Sequence, residues 1–157
     1  MDDHDVPRQN EPAEHLRFRD YLSGLGQVSE ADEEDLVSAV LTDSDRTMAQ
    51  SAVLRHLDHR AADLHSGSAY ESWAERMRRA TARHPFLTRR LDEWSLLRAV
   101  TLGRPWHSEA LLESSDWAQL KTSESSNTAA LELLATRGRT KRIRNTARTN
   151  LNQRSQR

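Results

Sequence analysis

The stretch EWSLLR at residues 93–98 decides the fold, because it returns 23 residues later as DWAQLK at residues 116–121. A more divergent third copy, TKRIR, occupies residues 140–144. The apolar residue of each copy keeps the same 23-residue step: Leu97, Leu120 and Ile143. A fixed period in the twenties is typical of stacked supersecondary units. We therefore predict that the second half of the chain repeats one short helical unit.

A second apolar cluster lies between the copies and keeps the same step. Ala110-Leu111-Leu112 is followed 23 residues later by Leu133-Leu134-Ala135, and Asn127 by Asn150. Each unit then holds two short helices, which are too small to bury their apolar faces alone. Burial against neighbouring units is the principle of an α-solenoid. The repeat thus predicts a short α-solenoid of helical hairpins.

Glycine, proline and capping residues divide the rest of the chain into helices, and no run of alternating β-branched residues predicts a strand. A helix beginning at Pro12 is expected to end at Gly24 and Gly26. Ser68 and Glu71 form an S-x-x-E capping box for a later helix. The other expected helices are Ser29 to Leu41, Asp43 or Asp45 to about His65, a helix that begins at Pro85 and ends before Gly103, and residues 108–113, 116–124, 127–136 and 140–151.

The predicted fold class is therefore all-α, with a helical N-terminal region packed on the repeat. We expect disordered tails at residues 1–10 and 153–157 and one helical domain over residues 11–152. The repeat-like part of that domain spans residues 92–148.

The repeat resembles helical repeats of the HEAT-like and leucine-rich-variant kind. Those repeats have an acidic-Trp start, an apolar-Arg pair, an Asn-Thr turn and a Leu-Leu-Ala helix. Here Lys121 stands where Arg is usual, and Ala129 where Pro is frequent. The resemblance implies a scaffold that binds proteins or, in some members, nucleic acid. Some leucine-rich-variant proteins carry an iron–sulfur cluster, but this chain has no cysteine, so no cofactor is expected.

Composition excludes several classes of protein. The absence of cysteine excludes disulfides and thiolate metal sites. No apolar run approaches the ~20 residues of a membrane span, and the acidic N-terminus does not resemble a secretory signal, so we expect a cytoplasmic protein. Neither a nucleophile elbow nor a glycine-rich phosphate loop is present. We therefore predict no catalytic residues and a non-enzymatic role.

The leading functional prediction is a protein–protein interaction module or adaptor. Trp106 lies in a Pro-Trp-His loop, where an exposed aromatic residue would mark a contact surface. Arg98, Lys121 and Arg144 follow the apolar residue of each copy and would form a basic ladder along one face. In the alternative interpretation, these three bases pair with neighbouring acids or cap helix carbonyls, and the repeated tryptophans Trp94 and Trp117 are packing residues.

The charge distribution supports a second function, nucleic-acid binding by the basic segment 137–157. Residues 1–45 carry 13 acids and 3 bases, a balance of −10, whereas residues from Leu134 onward carry eight bases and no acid. The candidate phosphate-binding residues are Arg137, Arg139, Lys141, Arg142 and Arg148. The alternatives are that the last helix is polar because it caps the stack, that the acidic N-terminal helices mask it, or that copies self-associate.

The long third helix carries histidines that are candidate metal ligands. His56, His59 and Asp63 have spacings that bring them to one side of a helix. A zinc site needs a further ligand, and no motif supplies one, so no metal is predicted. We expect His56 at the edge of the core beside Leu57. The acids from Glu30 to Asp35 are expected to be solvated at a helix N-terminus, where the helix dipole favours them.

Overall fold

The computed structural model describes residues 12–156, and this part of the chain is all-helical, with nine α-helices and no strand. The all-α prediction is thereby confirmed. The helices are α1 (Ala13–Gln27), α2 (Glu30–Val40), α3 (Arg46–Leu64), α4 (Tyr70–Thr81), α5 (Pro85–Thr101), α6 (Ser108–Glu113), α7 (Asp116–Ser123), α8 (Thr128–Arg137) and α9 (Lys141–Ser155).

Side-chain caps fix the start of four of these helices. Asp45 accepts a hydrogen bond from the Met48 amide at 3.0 Å and so begins α3. Ser115, Asn127 and Thr140 cap α7, α8 and α9 in the same way, at 3.1–3.2 Å. Each cap satisfies one of the unpaired amides in a first helical turn. The boundaries predicted for the second half of the chain follow these caps closely.

Three predicted boundaries were wrong. Gly24 and Gly26 both lie inside α1, because the chain leaves the helix only at the extended residue Val28. Ser68 does not cap α4, which begins at Tyr70 after Ala69. The last helix continues to Ser155, so residues 153–155 are helical and not a tail. The tail predicted at residues 1–10 lies outside the described residues.

Successive helices alternate between two layers. In one layer α1 packs on α3, α3 on α5, α5 on α7, and α7 on α9. In the other layer α2 packs on α4, and α6 on α8. Helix pairs that follow one another in sequence connect the layers, most extensively α8 with α9. The last helix therefore lies at the end of its layer, held by α7 and α8.

Two hydrophobic cores fill the space between the layers. The larger one joins α1–α5 and contains the fully buried Trp73 and Trp94. The smaller one joins the end of α5 to α6, α8 and α9, with Leu111 and Leu134 completely buried. Those two leucines are 23 residues apart in the sequence.

Two asparagine side chains link helices with the same 23-residue shift. Asn127 Nδ2 donates to the carbonyl oxygen of Val100 at 3.1 Å. Asn150 Nδ2 donates to the carbonyl oxygen of Ser123 at 3.2 Å. Donor and acceptor each move by 23 residues from one bond to the other. The two repeat tryptophans differ, since Trp94 is buried and donates to Asp58 at 2.8 Å, whereas Trp117 is half-buried beneath the guanidinium of Arg90.

The acidic helix α2 is not the solvated acidic surface that its sequence suggests. Glu33 is buried, and its Oε2 accepts hydrogen bonds from His56 at 2.7 Å, Arg60 at 3.0 Å and the Trp73 indole at 3.0 Å. Burial alone would raise the pKa of Glu33, but these three donors outweigh it and lower the pKa to about 2. Its charged carboxylate therefore joins α2 to α3 and α4.

Two further acids of α2 pair with arginines of α4. Glu30 accepts from Arg76 at 2.9 Å, and Glu34 from Arg79 at 2.9 Å. The pKa of Glu34 is lowered, chiefly by the hydrogen bond from Arg79. These acids are thus neutralised within the N-terminal half, and none of their ion pairs involves the basic helix α9.

Candidate nucleic-acid interface

The loop that carries Trp106 joins α5 to α6. Gly103 takes a positive φ of 67° directly after α5, as a glycine at a helix C-terminus does, so the helix ends where the sequence predicts. The Trp106 ring is half-buried against the smaller core, while Leu102 in the same loop is exposed. A contact role for Trp106 stays a prediction, and part of its ring has a packing role.

Arg98 does not lie on an exposed basic face. Its side chain is only 8% exposed. Its Nη1 donates to the carbonyl oxygens of His65 at 2.7 Å and Gly67 at 2.6 Å, at the end of α3. This is the carbonyl-capping role that the alternative interpretation of the ladder describes. A shared ladder of three exposed bases is therefore absent from the repeat.

The other two bases of the predicted ladder differ from Arg98 and from each other. Arg144 is half-buried and donates from Nη1 to the Gly138 carbonyl oxygen at 2.8 Å. Lys121 is exposed, with its Nζ 5.8 Å from the centre of the Trp94 ring. Of the three, only Lys121, in the last turn of α7, is exposed.

Helix α9 packs on the rest of the protein with one face and exposes basic side chains on the other. Ile143 and Ala147 are buried in the smaller core, and Leu151 is half-buried beside them. Thr140 fixes the start of the helix, and Asn150 anchors it to the carbonyl oxygens of Ser123 and Ser125 at the end of α7. These contacts fix the position of α9 and determine which of its faces is exposed.

Of the five bases predicted to bind phosphate, Arg139 alone is engaged within the described chain. It pairs with Asp116 at 2.7 Å and donates to the carbonyl oxygens of Leu112 and Ser114. The remaining four are exposed, and within residues 12–156 they form neither an ion pair nor a side-chain hydrogen bond: Arg137, Lys141, Arg142 and Arg148. Arg60 and Arg90 of the N-terminal half are in contrast paired with acids.

A shallow cleft of about 450 Å³ lies between the end of α7 and α9, and none of these four bases lines it. Its walls carry amide and hydroxyl groups from Asn145, Thr149 and Gln153, and one acid, Glu124, stands at its edge. Amides and hydroxyls bond to phosphate oxygens and sugars as well as to base edges. The surface thus combines unpaired cations with neutral hydrogen-bonding groups.

The histidines of α3 lie in a buried ion pair and beside a cleft, and not in a cluster of metal ligands. His56 is buried against Glu33, so it lies in the core, as expected, but it also contributes to a polar network that the sequence did not indicate. His56 and His59 line a cleft of about 290 Å³ near Asp63. Nowhere in residues 12–156 do three or more His, Asp or Glu side chains come close enough to hold a metal ion.

Among the described helices, none combines the length and apolar character required to cross a bilayer. Comparison of the chain with protein-family models, curated proteins and solved structures gives no match.

The polar centre at Glu33 is the main feature that the sequence interpretation missed. Glu33 precedes Val37 and Val40 by four and seven residues, so it shares their buried face of α2. That spacing was the available signal. The four neighbouring acids obscured this spacing, because residues 30–35 as a whole resemble a solvated acidic helix N-terminus.

Proposed function

We propose that the chain is a non-enzymatic interaction module on a short helical-repeat scaffold, and that its last helix binds nucleic acid. The scaffold part of the proposal is supported by the alternation of helices between two layers and by the asparagine links shifted by 23 residues. Stacked units of this kind display extended surfaces that serve as binding faces.

The observation that carries the nucleic-acid proposal is the set of unpaired bases on a segment of the chain that contains no acid. Arg137, Lys141, Arg142 and Arg148 are exposed and have no acidic partner among residues 12–156. The chain has 24 acids in 157 residues, yet none from Leu134 onward. A helix that only capped a stack would need polar residues, but not the exclusion of acids. Exclusion of acids is what a polyanionic partner requires.

The proposal is tested by fluorescence anisotropy of the full chain with a labelled duplex of random sequence at several salt concentrations. If four cations contact phosphates, affinity falls on the order of 100-fold between 50 and 200 mM salt. The variant with all four bases changed to alanine is expected to lose binding. Arg83→Ala serves as a control, since Arg83 is an exposed base of the N-terminal half. Absence of binding at the lowest salt concentration rejects the proposal.

A protein partner is the second candidate, and the loop between α5 and α6 favours it. Leu102 is exposed there beside the half-buried Trp106, so the loop presents apolar surface outside a helix. A photo-crosslinking residue placed at Leu102 should then capture one discrete protein, whereas the same residue at Arg148 should not. Selective crosslinking at Arg148 to nucleic acid, with none at Leu102, would decide against a protein adaptor.

A further inference from the structure

The outer face of α9 carries an ordered stripe of side chains. Lys141, Asn145, Arg148 and Asn152 are spaced at i, i+4, i+7 and i+11, which places them on one side of an α-helix. All four are exposed, although Asn145 also lines the cleft between α7 and α9, and the opposite side of the helix is buried through Ile143 and Ala147. Cation and amide alternate along the stripe.

These side-chain types match the hydrogen-bonding edges of bases. Arginine and lysine pair with the O6 and N7 of guanine, and asparagine pairs with the N6 and N7 of adenine. A purely electrostatic surface would not require the two amides. The side chains of Asn145 and Asn152 form no hydrogen bond within residues 12–156, whereas that of the neighbouring Asn150 does, in anchoring α9 to α7. The two outer amides are therefore available to a ligand.

The dimensions of α9 suit the major groove of B-form DNA. Its 15 residues make it ~22 Å long, and an α-helix with its side chains is ~10–12 Å across. The major groove is ~12 Å wide and admits one helix. Because α9 ends its layer, its outer face projects away from α7 and α8, against which its other side packs.

Other nucleic acids fit this surface less well. The major groove of A-form RNA is too deep and narrow for a helix to reach its bases. Single strands are held by stacking on aromatic rings, and residues 134–157 contain no aromatic residue. The stripe therefore favours a B-form duplex.

We propose that α9 enters the major groove of duplex DNA and recognises a particular base sequence through Asn145, Arg148 and Asn152. Lys141 lies at the start of the stripe, and with Arg142 it contacts the flanking phosphates. This inference rests on the proposed function and adds to it a substrate class and residues that determine specificity.

The test begins with selection of the best-bound duplex from a random-sequence library by the full chain. Affinities for that duplex and for a scrambled duplex of equal length are then compared by anisotropy. In the variant Asn145→Ala/Asn152→Ala, the ratio of the two affinities should fall on the order of tenfold or more, because each bidentate base contact contributes strongly to discrimination. The salt dependence of binding should stay the same.

Two further variants separate base contacts from phosphate contacts. In Lys141→Ala/Arg142→Ala, both affinities should fall equally, and the slope of log affinity against log salt should decrease by about 2. Gln27→Ala should change neither quantity, since Gln27 is an exposed amide at the end of α1, outside the proposed surface. All these side chains are exposed, so thermal unfolding followed by circular dichroism should confirm intact folding.

The outcomes distinguish this inference from the function on which it rests. If duplexes bind with salt dependence but selection yields no preferred sequence, sequence recognition is overturned and nucleic-acid binding stands. The same holds if the double asparagine variant keeps the full affinity ratio. If no duplex binds at the lowest salt concentration, both proposals fail.

Discussion

At the scale of single residues, Glu33 is the most constrained charge in the chain. A buried carboxylate is costly unless it is paired and fully hydrogen-bonded. Glu33 meets that condition through His56, Arg60 and the Trp73 indole, which come from two different helices. The network consequently specifies how α2, α3 and α4 fit together, in a way that interchangeable apolar contacts would not.

Replacing Glu33 by glutamine should destabilise the fold strongly. The glutamine amide is neutral. Its NH2 group would face hydrogen-bond donors from which the carboxylate now accepts hydrogen bonds. Loss of one partner from a buried charged network costs about 3 kcal/mol or more. Thermal denaturation should show a melting temperature lower by ~10 °C.

Glu34→Gln is the matched control for this prediction, because Glu34 is the next residue on α2 and its partner Arg79 is largely exposed. Exposed ion pairs are screened by solvent and contribute little. Equal melting temperatures for the two variants would show that Glu33 has no special structural role.

Because the pKa of Glu33 is lowered in the folded protein, the free energy of unfolding depends on pH. Its pKa is about 2 in the folded protein and near its ordinary value of 4.5 when unfolded. The folded state therefore binds fewer protons, and the stability that Glu33 contributes is complete above pH ~4.5 and disappears as the pH falls through about 2. Chemical denaturation at a series of pH values should show this decline.

The decline should be shallower in Glu33→Gln than in the original chain. It should not vanish, because Asp43, whose pKa is also lowered to about 2 by hydrogen bonds from Tyr21 and the Asp45 amide, contributes in the same direction. Parallel curves for the two proteins would contradict the assignment of the effect to Glu33.

At the scale of helices, the turn between α8 and α9 is closely packed. A Cβ atom at Gly138 would lie 2.6 Å from the carbonyl oxygen of Leu134 and 2.7 Å from Cγ2 of Ile143. One of these groups belongs to the backbone and cannot move without displacing α8. The turn thus sets the angle at which α9 packs on the smaller core.

Gly138→Ala should cost about 1–3 kcal/mol of unfolding free energy, measured by chemical denaturation, because overpacking shifts the backbone. Gly26→Ala should have the opposite sign. A Cβ at Gly26 meets no atom within 4 Å, and alanine is favoured over glycine inside a helix by roughly 0.5–1 kcal/mol. A neutral Gly138→Ala variant would mean that α9 tolerates another orientation.

Asn150 should hold α9 locally without affecting the rest of the fold. Its Nδ2 donates to Ser123 at 3.2 Å and to Ser125 at 2.7 Å. Asn150→Ala removes about 1 kcal/mol of hydrogen bonding, so amide hydrogen exchange in α9 should accelerate roughly fivefold. Asn152→Ala, which removes an outward amide of the same helix, should leave exchange unchanged. Equal exchange in both variants would contradict an anchoring role for Asn150.

The helices themselves were largely predictable, because their caps are local. Asn127 and Thr140 lie three residues before the amides that they cap, so the sequence alone shows the signal. The failures have a different cause. Ser68 has the right spacing to Glu71, but the chain before Tyr70 is already turned, and the cap is not used. The two glycines of α1 also fail to end their helix, which continues to Gln27.

The candidate site was only partly predictable for a similar reason. Exposure of Arg137 at the end of α8, and of Lys141, Arg142 and Arg148 on α9, follows from their polar positions, so the sequence indicates them well. The fate of Arg98 depends on the end of α3, more than thirty residues earlier in the chain, where it meets the His65 carbonyl. Glu33 likewise depends on partners 23 to 40 residues away. Contacts of that range leave little trace in one sequence.

At the scale of the whole molecule, opposite charges are used differently in the two halves. Acids of α2 neutralise arginines of α3 and α4, so the N-terminal charge serves internal cohesion. The basic side chains of α9 form no ion pair within residues 12–156, so their positive charge faces solvent. The structure thus has internal ion pairs between α2, α3 and α4, and a cationic last helix.

The most direct test of this view is NMR mapping of backbone amide shifts during titration with duplex DNA at low salt. We predict that perturbations concentrate at the end of α8 and along the outer face of α9, from Arg137 to Asn152, and that α1–α4 stay unchanged. Perturbations centred on α3 and α5, or no perturbation at any DNA concentration, would contradict the assignment of α9 as the binding helix.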